Sequence, residues 1–191
     1  RTHYPLEVAD EVAVIVQEAD LVAQVPDYLV EVLARFTRAL RGSSSVDQRS
    51  GVSARFAIAG AETIAASALH RATTQGEPEA VARVVDLETA VEVLAGKIEF
   101  ETGEEGRESE VLTHLLRTAL AETVRTHLAG LDLRGLVDAV EDGATVSTGA
   151  RVGAGAFLAG LPVLAPTESG ESDLYDQIAA RLGATNDGEK A

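Results

Sequence analysis

The chain has 191 residues, of which 46% are hydrophobic and 25% charged, a composition that excludes a wholly disordered protein. Its net charge is −15 and its basic residues form no stripe, which argues against a nucleic-acid-binding surface and against binding to an anionic membrane.

Cysteine is absent, which excludes disulfides and thiolate metal sites and fits a cytoplasmic protein. No apolar run approaches the ~18 residues that would span a bilayer, and no signal peptide is visible. Because methionine is also absent, even at position 1, we expect the chain to begin inside a longer gene product.

Helical periodicity characterises the first part of the chain. A first helix is predicted over residues 7–23, with Pro26 marking its end. A second helix is predicted over residues 27–41, with Asp27 as its N-cap. The core stripe of this second helix is formed by Leu29, Leu33, Phe36 and Leu40.

A polar loop over residues 42–51 separates these helices from an alanine-rich one, which is predicted to begin near Ser53 and to end before Gly76. Its small residues permit a neighbouring helix to approach closely. One face carries Ile58, Ala61, Ala65, Ala68 and Ala72. The valine-rich residues 81–85 fit either a short strand or a helix start.

Asp86 is expected to cap a short helix that Gly96 ends. The acidic residues 98–110 are interpreted as a solvated connection. Further helices are predicted, in chain order, over residues 109–128, 133–140 and 173–182, whereas the glycine-rich residues 142–155 are not assigned. The predicted fold is therefore mainly α, a helical bundle followed by a helical extension, with little or no sheet.

The parts that hold a nucleoside triphosphate are missing. A phosphate-binding loop needs the pattern G-x-x-x-x-G-K-[ST], but Lys97 follows Gly96 and precedes Ile98, and no glycine stands five residues before Gly96. The nearest candidate for a magnesium-holding acidic pair is Asp10 and Glu11, but these residues are interpreted as a helix start. We therefore do not expect this chain to hydrolyse ATP by itself.

Metal and redox motifs are not found either. The histidines show no i, i+4 pairing and stand at His3, His70, His114 and His127. The glycines of the second half do not form a dinucleotide fingerprint and stand at Gly149, Gly153, Gly155 and Gly160. The sequence predicts no metal site.

Residues 46–55, VDQRSGVSAR, run directly into the alanine-rich helix FAIAGAETIAASALHRATTQG. This arrangement resembles the lid domain of AAA+ ATPases of the magnesium-chelatase and MoxR-like group. In that group a G-x-S-x-R-like element opens a lid helix and supplies the sensor-2 arginine. Gly51, Ser53 and Arg55 occupy those places here. A guanidinium suits the role because it brings fixed charge and fork-shaped donors to phosphate.

The resemblance also covers the order of flanking segments, namely residues 1–6, 11–19, 25–39 and 83–99. It implies an AAA+ lid-like domain over 1–103, a family-specific helical extension over 104–182 and a flexible tail over 183–191. Arg55 would be the catalytic sensor, with Arg49 and Ser53 as further nucleotide-binding candidates. Two alternatives stay open: Arg49 pairs with Asp47, and Ser53 is only a helix cap.

The resemblance further implies an ATP-driven homo-oligomer in the full-length protein, usually a ring. ATP and Mg²⁺ would be held mainly by parts of the protein outside this chain. A partner carrying a von Willebrand A-type domain is implied as well. The rival interpretation is a non-enzymatic, acidic helical module that binds another protein and in which Arg55 has no nucleotide role.

Overall fold

The computed structural model describes residues 7–47, 49–164, 173–184 and 187–190. Within these ranges the chain is mainly helical and forms no β-strand, which confirms the predicted fold class. The β-type pairing there is confined to two isolated bridges, between Gln24 and Val81 and between Val46 and Phe100. Residues 1–6, one of the segments that carry the family resemblance, lie outside the described residues.

Helices occupy nearly all the predicted places. In chain order they are α1 Val8–Glu18, α2 Asp27–Gly42, α3 Ala54–Gln75, α4 Asp86–Ala95, α5 Glu108–His127, α6 Arg134–Glu141, α7 Ala154–Ala159, α8 Leu174–Leu182 and α9 Asp187–Lys190. A 3-10 turn, Thr102–Glu104, lies between α4 and α5. The predicted bounds of α2, α3, α5 and α6 are met to within one residue.

The first helix ends at Glu18, so the prediction that it continues to residue 23 is wrong for residues 19–23. The chain instead becomes extended and pairs with a distant segment. The Gln24 N–H donates to the Ala80 carbonyl at 2.9 Å, and the Ala82 N–H donates to the Gln24 carbonyl at 2.8 Å. This non-local pairing competes with continuation of the helix. The valine-rich residues 81–85 form one β-bridge, at Val81, and then a turn, instead of a strand.

Two predicted helix caps are shifted by one residue. Asp27 and Asp86 are the first helical residues, and the cap positions belong to Pro26 and Val85, neither of which makes a side-chain capping bond. The Asp86 carboxylate instead accepts the N–H of Arg83 at 2.8 Å. This carboxylate therefore orders the turn that precedes α4.

Helix α2 lies at the centre of the bundle and packs against α1, α3 and α5, while α4 packs against α3 and α5. The core includes Ile15, Leu29, Leu33, Phe36, Leu40, Phe56, Ile64, Leu87, Leu94 and Leu112. Helix α5 joins this core, although it follows the predicted boundary at residue 103. The boundary itself stays a prediction.

Small residues allow α3 to lie close to its neighbours. A Cβ atom at Gly60 would lie 3.1 Å from Leu33 Cδ2 and 3.4 Å from Leu94 Cδ1. Both distances are at or below ordinary van der Waals contact, so α3 lies close to α2 and α4 at Gly60. The buried small residues of α3 also include Ala57, Ala61, Ala65 and Ala68.

The helices after α5 are more loosely packed. Helix α6 has no buried side chain, and Val137 and Val140 on it are 52% and 58% exposed. Among the residues that the structure describes, no helix has the length and apolarity required to cross a membrane.

Candidate functional site

The candidate site is the α2–α3 loop, which comprises residues 43–47 and 49–53, together with the first turn of α3. The loop contains a tight turn in which Asp47 Oδ1 accepts the Arg49 N–H at 2.8 Å and Arg49 Nε at 3.3 Å. The Gly51 N–H donates to the Asp47 carbonyl at 3.1 Å, and Gly51 has φ +68°, a conformation that side chains disfavour. The backbone N–H of Arg49, more than its side chain, lowers the pKa of Asp47.

Arg49 forms the alternative contact considered from the sequence, because its guanidinium pairs with Asp47. The pair is loose, since the Arg49 side chain is 89% exposed. Surface pairs of this kind contribute little to stability. Arg49 is therefore held near the loop backbone but is still accessible to a ligand.

Ser53 and Arg55 lie at the start of α3. Ser53 occupies the N-cap position with an extended backbone, but its hydroxyl makes no capping hydrogen bond. Arg55 is exposed, and its side chain forms no hydrogen bond or ion pair with any residue that the structure describes. The first turn of α3 carries no acidic side chain.

Helix α3 is 22 residues long, and its N-terminus presents partly unsatisfied backbone N–H groups. The aligned peptide dipoles make this end positive, and the Arg55 guanidinium adds a full positive charge. No carboxylate in the first turn offsets either charge. An anion such as phosphate would be stabilised at this end of the helix.

Two residues that the sequence did not identify as part of the site support this loop from the core. Arg41 Nε donates to the Val52 carbonyl at 2.9 Å. The same guanidinium contacts Glu11 through Nη1 to Oε2 at 2.5 Å and Nη2 to Oε1 at 3.0 Å. The Glu11 side chain is completely buried. The sequence did contain a signal, since Glu11 stands four residues before Ile15 and therefore on the same buried helix face.

The acidic segment 98–104 supports the loop from the side. The Asp47 N–H donates to the Glu99 carbonyl at 2.9 Å, and the Glu101 N–H donates to the Ser45 carbonyl at 3.0 Å. Ser45 Oγ also donates to Glu104 Oε1 at 2.9 Å. The segment that was interpreted as a solvated connection is thus attached to the candidate site, although its Glu99 and Glu101 side chains are exposed.

A second polar network lies at the other end of α3, and the sequence reasoning did not find it. Arg71 is buried and contacts Asp86 Oδ2 at 2.9 Å and Glu77 Oε2 at 2.9 Å. Arg83 Nη2 contacts Glu77 Oε1 at 2.7 Å. Arg71 lies three and seven residues after two core positions, Ala68 and Ile64, and that spacing could have indicated a buried charge.

This network joins the α3–α4 turn to the segment before α7. Glu77 Oε1 accepts the Ala154 N–H at 2.7 Å, and Arg83 Nη1 donates to the Val152 carbonyl at 3.1 Å. Burial raises the pKa of Glu77, but hydrogen bonds from Arg83 and Ala154 outweigh it and the net pKa is lowered. Burial and the nearby Asp86 charge raise the pKa of Tyr28 to about 12. All the charged groups are paired within the protein, so we interpret this network as structural.

The described part of the chain contains no group of three or more His, Cys, Asp or Glu side chains arranged to hold a metal ion. Comparison with known proteins finds no matching family model, no matching curated protein and no matching solved structure. The geometry of the α2–α3 loop and of the α3 N-terminus is therefore the basis on which a function can be argued.

Proposed function

We propose that this chain is the C-terminal lid part of a magnesium-chelatase-like AAA+ ATPase, in which Arg55 senses the nucleotide. The observation that carries the proposal is the exposed Arg55 guanidinium at the acid-free N-terminus of α3. A cation at this end of a helix is slightly destabilising unless an anion is bound there. Phosphate would supply that anion.

The packing of α3 supports a mechanical role for such a contact. Helix α3 packs against α1, α2 and α4, and Arg41 ties the loop before it to Glu11 of α1. A force applied at Arg55 would therefore move the bundle as one body rather than bend a loop. In this proposal, binding or hydrolysis of ATP changes the position of the lid and remodels or activates a partner protein.

The remaining parts of the proposal follow from the same resemblance. ATP and Mg²⁺ would be bound mainly by a phosphate-loop core outside this sequence, with Arg55 and the nearby Arg49 and Ser53 approaching the phosphates. The full-length protein would act as a homo-oligomer with a partner that carries a von Willebrand A-type domain.

The test is steady-state ATP hydrolysis by the full-length protein carrying Arg55→Ala, measured beside Arg49→Ala, which tests the competing assignment of the sensor role. Loss of a charge-assisted phosphate contact should raise the activation free energy by about 1.5–3 kcal/mol. Arg55→Ala should melt like the wild type, because exposed substitutions usually change stability by about 0.5 kcal/mol or less. Normal turnover in the Arg55 variant would refute the sensor role, and a selective defect in Arg49→Ala would move it there.

A non-enzymatic protein-interaction module is the second candidate function. It is favoured by α6, whose valines Val137 and Val140 are about half exposed and which has no buried side chain. The gene sequence upstream of Arg1 separates the two candidates. A phosphate-loop motif encoded there would favour the ATPase lid, and its absence would favour the interaction module.

A further inference from the structure

A groove opens where the end of α4, the segment 98–107 and the start of α5 meet. Its volume is about 650 Å³, within the range of small-molecule pockets. Its floor is apolar and its rim is acidic, and we refer to it as the acidic groove. We call the buried and half-buried apolar residues of the lining its floor, namely Ala95, Ile98 and Phe100, and the acidic residues its rim, namely Glu101, Glu105 and Glu108.

The rim carboxylates are not neutralised by any of the residues that the structure describes. The nearby Arg107 pairs with Glu104 at 3.7 Å and with Glu110 at 3.4 Å. Glu101, Glu105 and Glu108 have no ion pair with any residue in the described part of the chain. Glu108 is stabilised by the N-terminus of α5, but this explanation does not extend to Glu101 and Glu105.

The arrangement of these carboxylates indicates the kind of ligand. They do not converge on a common point, since no group of carboxylates that could hold a metal ion is found among the described residues. A single small cation would therefore leave most of the rim charge unpaired. A ligand with several separated positive charges complements it better.

The apolar floor further restricts the kind of ligand that fits the groove. Ile98 is buried and packs into the core, while Phe100 and Ala95 are half-buried at the groove surface. Partly exposed apolar surface within a polar rim is typical of protein-interaction sites. A hydrophilic polycation would satisfy the rim but leave this surface in water.

We propose that the acidic groove binds a basic segment of a partner protein, in which arginines or lysines flank a large apolar side chain. The apolar side chain covers Phe100 and Ala95, and the flanking cations face Glu101, Glu105 and Glu108. The proposal does not depend on a nucleotide role for Arg55. It would hold for an ATPase lid and for an interaction module alike.

The experiment measures fluorescence polarisation of a short, fluorescein-labelled peptide of alternating arginine and leucine, added to the 191-residue chain. The triple variant Glu101→Gln, Glu105→Gln, Glu108→Gln should bind the peptide about tenfold more weakly, since each exposed ion pair contributes modestly. The matched control, Glu18→Gln, Glu79→Gln, Glu141→Gln, removes the same charge from exposed positions outside the groove. It should change affinity by less than about twofold.

Shape is tested separately by filling the groove while its rim charges are kept. Ala95→Phe and Thr102→Phe should each weaken binding of the arginine–leucine peptide. Because Thr102 is exposed, the Thr102→Phe variant should keep the wild-type melting temperature. A peptide of alternating arginine and serine should bind more weakly than the leucine peptide.

Three results would overturn the proposal. Equal losses of peptide affinity in the rim and control triple variants would show that the peptide is attracted only by the net charge of the protein. Equal binding of the serine and leucine peptides would show that the apolar floor has no role. Unchanged affinity in both filling variants would place the bound peptide elsewhere on the protein.

Discussion

Glu11 and Arg41 form a bidentate ion pair that has no solvent exposure on the carboxylate side. The pair joins α1 to the end of α2, and Arg41 extends it to the Val52 carbonyl, three residues before Arg55. A buried carboxylate needs such a partner, because an isolated charge in the core is strongly destabilising. The position of the candidate site loop is therefore coupled to the stability of the core.

Removing Arg41 should destabilise the whole fold. Arg41→Ala leaves the Glu11 carboxylate buried without its partner, and we expect a loss of about 3–5 kcal/mol in the free energy of unfolding. Urea unfolding followed by circular dichroism measures this loss. Arg107→Ala, which removes a largely exposed pair, is the control and should cost about 0–1 kcal/mol. Similar losses of unfolding free energy in both variants would contradict the idea that burial of the Glu11–Arg41 pair makes it important for stability.

Enlarging Gly60 should disrupt the contact of α3 with α2 and α4. Gly60→Leu places a branched side chain against Leu33 and Leu94, and overpacking of this kind costs about 1–3 kcal/mol or more. In Gly60→Ala, the gain in helix propensity of about 1 kcal/mol offsets a tight Cβ contact, so the change should be small. Thermal melts of the two variants test this order, and a Leu variant as stable as the wild type would show that the helices can separate without cost.

Stability should fall at acidic pH through Glu77. Its pKa in the folded protein is lowered from the ordinary value of 4.5. Its contribution is thus fully present above that value and is lost as the pH falls through the folded-state pKa. Urea unfolding across this range should show a shallower pH dependence for Glu77→Gln than for the wild type. The control is Glu79→Gln, an exposed position, which should keep the wild-type slope.

Amide hydrogen exchange at Ala154 tests the protonation of Glu77 independently. The Ala154 N–H donates to Glu77 Oε1, so its protection factor should decrease when Glu77 is protonated. Protection of Ala154 that is unchanged below the folded-state pKa would indicate that other contacts hold the segment before α7.

The chain alone should not turn over ATP, because its sequence contains no phosphate-binding loop. Phosphate release from ATP and Mg²⁺ in the presence of the purified chain should equal the no-protein background. Release above background that a point substitution in this chain abolishes would show that the chain contains a hydrolytic site of its own.

The periodicity of the sequence by itself determined the class of fold and the places of most helices, although α7 and α9 were not predicted and α1 ends earlier than expected. Leu29, Leu33, Phe36 and Leu40 lie on one face whatever the helix packs against, because the spacing of 3.6 residues per turn is a local property. The motif of Gly51, Ser53 and Arg55 at a helix start was likewise visible, whereas the positive φ of Gly51 came from the structure.

Tertiary structure alone decided where distant charges meet. Glu11 and Arg41 are 30 residues apart, and Glu77 and Ala154 are 77 apart, so no local pattern could pair them. The early end of α1 has the same cause, since Gln24 pairs with Ala80 and Ala82 from beyond α3. Local propensity fixes which residues share a helix face, whereas burial of charge and backbone pairing depend on how the faces pack together.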